Sequence, residues 1–138
     1  KKIAGVYDLV REDVVFANRQ RGAGTRVLLD YKLQLSGIQH EDIRGYQREL
    51  STHMAVASVV LTGSADTGLG VLSAANAVGL DFVPLADEDY DFLIDGESLK
   101  MDLVMEFIRA IKSEEFKNRV TEMGGYGFNR TGEIIWID

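Results

Sequence analysis

Short apolar runs that alternate with helical stretches fill the first 86 residues and leave few folds open. "DVVFAN" (13–18) is β-branched and aromatic, the composition and length of a buried strand. A helix follows near 24–36, where Val27, Leu28, Tyr31 and Leu35 recur at helical spacing and Gly37 stands at the expected C-cap. "IRGYQREL" (43–50) reads as the next strand. From Ser51 the pattern turns helical again, through Met54, Ala55, Ala57, Ser58 and Leu61 to Gly63. "TGLGVL" (67–72) and "DFVPLA" (81–86) read as strands on either side of the Ala-rich helix "SAANAVGL". The order β-α-β-α-β-α-β predicts an α/β fold: a three-layer, mostly parallel sheet flanked by helices. Parallel neighbours need a crossover connection, and the crossover helices cover both faces.

Residues 4–11, with Val6, Leu9 and Val10 on one side, predict a short opening helix. Beyond 86, "YDFLID" (90–95) is a further strand candidate. Two amphipathic helices follow at about 98–111 and 113–123, the second with Ser113 as cap and Glu114 and Glu115 in its first turn. The expected division is a ligand-binding lobe over 1–86, then a return strand and C-terminal helices over 87–138. Net charge is −7 across 138 residues. Such acidity argues against direct nucleic-acid binding, which needs a basic face to displace counterions. Any anion site must therefore be local. The absence of cysteine excludes disulfides, thiolate metal sites and cysteine nucleophiles. No apolar run approaches the ~20 residues of a membrane span, and no signal-peptide pattern opens the chain. The expectation is a cytoplasmic protein without membrane contact. Because "KKIAGVYDLV" begins without Met, a piece of a longer protein is also expected.

The turn "NRQRGAGTR" (18–26) carries the chemistry. A strand, a glycine-containing turn and a helix start make an anion-binding geometry, since the first backbone N–H groups of a helix lack intrahelical partners and carry partial positive charge. Gly22 and Gly24 let a ligand approach the backbone. Thr25 can cap the helix or donate its hydroxyl, and Arg19 and Arg26 supply forked cationic donors. The plain alternative is a tight turn, a threonine cap and solvent-facing arginines. "ELSTHMAVASVV" puts Ser51 and Thr52 at the next helix start with His53 in its first turn. In an open parallel sheet such helix starts share the carboxyl edge, where ligands bind. His53 is either an anion donor or an ordinary half-exposed polar residue. In "GSADTGLG" (63–70), Asp66 can hold a cationic part of a ligand or brace Arg19, Arg26 or a backbone amide. Gly68, inside a strand, implies that something packs against its backbone. There is no Walker A loop, no G-x-S-x-G elbow and no H-E-x-x-H, so no catalytic residue, metal or cofactor is assigned.

"NRQRGAGTR" (18–26), "GYQRELSTHMAVASVV" (45–60), "GSADTGLGVLSAANAVGLDFVPL" (63–85) and "YDFLI" (90–94) together resemble the periplasmic-binding-protein-like domain, type 2, as fused to helix-turn-helix regulators and molybdopterin biosynthesis proteins. The resemblance implies two α/β lobes closing on a ligand between helix N-termini. It places Gly22, Ala23, Gly24, Thr25 and Arg26, Thr52 and His53, and Asp66 to Gly68 on the second lobe's side of the cleft. The first lobe would then be missing upstream of Lys1. What this implies is a non-catalytic domain that binds or senses a small anion, molybdate, tungstate or similar, within a larger molybdenum-cofactor or transcription-regulatory protein. Its partners would be an attached first lobe or domain, or a second copy in a homodimer. The rivals are a piece of a molybdopterin biosynthesis enzyme and a dimerisation module without ligand.

Overall fold

A computed structural model of the chain describes residues 1–137 and divides it into two compact units, Lys1–Leu85 and Ala86–Asp138. The first is α/β. Strand β1 (Phe16–Arg19) lies between β2 (Glu49–Leu50) and β3 (Thr67–Gly68), both parallel to it, in the order β2-β1-β3. Helix α1 (Gly24–Leu35) connects β1 to β2, α2 (His53–Leu61) connects β2 to β3, and α3 (Leu72–Val78) follows.

Alternation along β1 sorts its side chains between two helical layers. Phe16 packs with Leu29 and Leu33 of α1, together with Leu9, Ile43 and Tyr46. Ala17 faces the other way and packs with Val56 of α2 and with Ala65. The sheet is therefore one layer of three, buried on both sides, which is why β1 is buried at every position. The fold class expected from the alternating pattern is the one observed.

The elements themselves are shorter than their apolar runs. In "IRGYQREL" only Glu49 and Leu50 are strand, because a turn interrupts the ladder. Phe16 N–H donates to the Arg44 carbonyl and Asn18 N–H to that of Arg48, at 2.8 and 2.9 Å, while residues 45–47 loop out between them. Gly45 makes this possible. Its φ is +94°, and a Cβ there would lie 2.1 Å from the Phe16 carbonyl oxygen. Residues 81–95, read as two strands, form none. An extended run becomes a strand only when a second segment completes its ladder, and Pro84 has no N–H to offer one. The expected helix at 4–11 is a 3-10 turn, Val6–Val10.

The second unit contains a 3-10 turn (Ser98–Lys100), α4 (Asp102–Lys112) and α5 (Glu114–Met123), the last capped by Ser113 Oγ accepting from Phe116 N–H. Among the described residues no helix is long and apolar enough to cross a membrane.

Candidate functional site at the carboxyl edge of the sheet

The register sets the geography. Arg19 is opposite Leu50, and Gln20 N–H donates to the Leu50 carbonyl at 3.0 Å, so the turn after β1 and the residues before α2 leave the same edge side by side. Gln20 to Ala23 form a β-turn closed by Ala23 N–H on the Gln20 carbonyl, with Gly22 at φ +86°. Gly22, Gly24, Ser51 and Thr52 are exposed, Ala23 and His53 half-buried, and Arg19, Thr25 and Arg26 buried beneath them. The edge thus presents open backbone and hydroxyls, with both arginines withdrawn from solvent.

The two helix starts differ. At α2, Thr52 Oγ1 accepts from Ala55 N–H at 3.0 Å, so this amino end has its own cap and the hydroxyl proton stays available to a ligand. At α1 the N-cap is Ala23, with no side-chain cap. Thr25, expected to cap, lies two residues inside. Gly24 has ordinary backbone angles, and a Cβ there would meet nothing within 4 Å, so the fold itself does not require glycine at that place.

The two arginines also part company. Arg26, expected to supply ligand charge, is turned into the protein, its side chain 5% exposed. Its Nε donates to both Asp30 carboxylate oxygens at 3.1 and 3.2 Å, and Nη1 donates to the Arg19 carbonyl at 3.2 Å and lies 3.5 Å from Glu49. The guanidinium rests 4.1 Å from the centre of the Tyr46 ring. Burial opposes its charge, but Tyr46 and Asp30 outweigh that and hold Arg26 above its ordinary range. Tyr46 OH donates to Asp30 at 2.6 Å, and burial with that bond pushes the phenol up. Arg26 ties α1 to the end of β1 and to β2.

Arg19 has no such company. It is 9% exposed, on the α2 face. Its Nη1 is 2.8 Å from His53 Nε2 and its Nη2 donates to the Ser51 carbonyl at 3.0 Å. A guanidinium has only donors, so Nε2 is assigned as the acceptor, in the tautomer that carries its proton on Nδ1. Arg19 Nε is buried without a hydrogen-bond partner. No carboxylate among the described residues forms an ion pair with Arg19. A buried charge without an ionic partner is costly, by several kcal/mol even after relaxation.

Two candidates lie away from this edge. Asp66 precedes β3 and is level with the residue before β1, at the amino end of the strands. It accepts from Val15 N–H at 2.8 Å and pairs with Lys1 at 2.9 Å, so of the roles open to it the backbone brace is the one it has. Those two partners hold its carboxyl below the usual carboxylate range. Gly68 is needed by packing. A Cβ there would stand 2.3 Å from Val56 Cγ1 and 2.8 Å from the Ala17 carbonyl, so the object against its backbone is α2. Asp30, Tyr46 and Glu49 were not singled out by the sequence. Asp30 could have been, since it lies four residues after Arg26 on one helix face; Glu49 carries no local signal.

A family model described as a PBP superfamily domain matches residues 1–112. The chain belongs to that family. It is 38% identical over 136 residues to the uncharacterized protein YvgK of Bacillus subtilis (strain 168), covering 98% of this chain and 43% of that protein. It is 36% identical over 110 residues to an uncharacterized protein in the ferredoxin 2Fe-2S gene 5' region of Clostridium pasteurianum, covering 79% of this chain and 97% of that one. The chain therefore spans less than half the length of its Bacillus relative. No solved structure matches it.

Proposed function

We propose that the PBP-like unit binds a small anion at the carboxyl edge of its sheet, and that it senses this ligand rather than transforms it. Arg19 carries the reading. It is a buried cation with neutral partners and an orphaned Nε, and the group that would offset its charge is a ligand anion. The uncapped amino end of α1 and the hydroxyls of Ser51 and Thr52 supply directed donors around it. A rim built of donors suits an oxyanion such as molybdate or tungstate. His53 uses its accepting nitrogen on Arg19, which fits a positioning role better than that of a catalytic base.

With this chain matching 43% of a longer relative, the opposing wall of the site would come from an attached first lobe or from a second copy. Ligand held from both sides would favour a closed state that a neighbouring domain reads by population shift.

Calorimetric titration of the protein with molybdate, tungstate, sulfate and phosphate tests this. Arg19→Met should weaken binding of the preferred anion by about 10- to 100-fold, the range of a lost charge-assisted contact. Gly24→Ala is the cleaner companion, because the added methyl meets no protein atom within 4 Å. It should leave the melting temperature in place while reducing affinity. Flat titrations with all four anions would overturn the oxyanion reading.

A further inference from the structure

The site already has an anion beside it. Glu49, the first residue of β2, reaches over the turn that follows β1. Its Oε1 is 3.4 Å from Arg21 Nε and 3.5 Å from Arg26 Nη1, and its Oε2 accepts from Arg21 N–H at 3.4 Å. Its side chain is 31% exposed. Every one of these contacts is long. On the same Arg26, Asp30 sits at 3.1 and 3.2 Å and is itself held by Tyr46 OH at 2.6 Å. Asp30, although its side chain is 45% exposed, is held by the shorter bonds from Arg26 and Tyr46, whereas Glu49 makes only long contacts from a fixed backbone, its strand position being set by pairing with Asn18.

We infer that Glu49 is a resident counter-ion, an internal competitor that an incoming anion displaces from the turn. The inference rests on the anion-binding reading above and adds to it how the site is regulated: empty, the turn is screened by its own carboxylate; occupied, that carboxylate swings to solvent. The chemistry is simple. An anion approaching the open backbone at 22–24 meets negative charge next to Arg21, and moving that charge aside subtracts from its binding free energy. The Arg21–Glu49 pair is long and partly exposed, and such pairs are weak; the buried Arg26 keeps Asp30 when Glu49 leaves, so displacement is possible at small cost. The same screen rejects weakly held anions from an empty lobe.

Titration of Glu49→Gln with molybdate and with sulfate tests this. Affinity should rise about fivefold, the size of an exposed ion pair's contribution, and should depend more steeply on salt because Arg21 is unscreened. Glu49→Asp, which keeps the charge but shortens its reach, should give part of the gain. In an Arg21→Gln background the gain should shrink, since one of the two cations that Glu49 screens is gone while Arg26 remains. Binding by the unaltered protein with equal or weaker binding by Glu49→Gln, at unchanged melting temperature, overturns the role of Glu49 and leaves the anion site standing. No heat from either protein overturns both.

Discussion

Leu29, in the middle of α1, has no exposed surface, whereas Leu103, in the first turn of α4, is 72% exposed. The contrast runs through both units. In residues 1–85, apolar side chains from β1, α1, α2 and the loops between them close into two clusters, one on each face of the sheet. In residues 86–137 Ile108 is the one buried hydrophobic among those described, while Leu93, Trp136 and Ile137 are 88%, 70% and 77% exposed. Helix formation does not separate the two. Helix α5 has local support from the Ser113 cap and from the i,i+3 pair of Glu114 with Lys117. What separates them is whether distant segments return to bury an apolar face, and that burial supplies most of the stability of a helix in a protein.

The largest effect should come from the core that only the first unit has. Phe16 is fully buried between the sheet and α1, and Phe16→Ala should cost about 3–5 kcal/mol through lost burial and the cavity left behind. Chemical denaturation followed by circular dichroism measures it. Trp136, the chain's one tryptophan and largely exposed, reports separately on the second unit, and its emission should respond little to the substitution. A tryptophan transition that moves in step with the dichroism would break the comparison, since the two regions would then be one cooperative unit.

The same contrast explains what could be read from residues alone. The alternation of apolar runs and helical spacing fixes α1 to within a residue, and α2 and α5 nearly as well, because caps and periodicity are local. The α/β class followed from their order. "IRGYQREL" failed as a full strand because Gly45 turns the chain against the Phe16 carbonyl, a contact between residues 29 positions apart. The runs at 81–95 had strand composition but no partner strand. At the candidate site, the helix starts and the edge they share were legible; the roles of the arginines were not. Arg19 and Arg26 look alike in "NRQRGAGTR", and only the distant Tyr46, Glu49, Ser51 and His53 make one a tie beam and the other a buried cation without a carboxylate partner.

A smaller effect, dependent on pH, should sharpen the comparison. Asp66 and Asp95 are both held below the ordinary carboxylate range, by different means. Asp66 is lowered by Lys1 and then by the N–H of Val15, which is 51 residues away in sequence. Asp95 is lowered by Ser98 and Glu97, its own neighbours. A depressed carboxyl adds stability above its unfolded value, and that stability is lost as pH falls through the lower folded value. Melting temperature should therefore drop on acidification, and Asp66→Asn should flatten that acid limb. Asp95→Asn should leave the transition of the first unit where it was, since its bonds close only a local turn. Equal flattening by both would show that the long-range tie has no special part.

The smallest expected change is at Leu93, which with Phe92, Ile94, Leu103, Val104 and Phe107 lines an open hollow of about 600 Å³ in the second unit. At 88% exposure the side chain contributes almost nothing to folding, so Leu93→Ser should shift stability by no more than about 0.5 kcal/mol. An apolar surface of this extent invites coverage by other protein. The informative measurement is therefore sedimentation rather than melting: if copies of this chain associate through that face, the serine variant should move the population toward monomer at equal concentration. A sizeable loss of stability in the monomer would mean instead that Leu93 is buried in solution, and the difference drawn between the two units would be smaller than the structure implies.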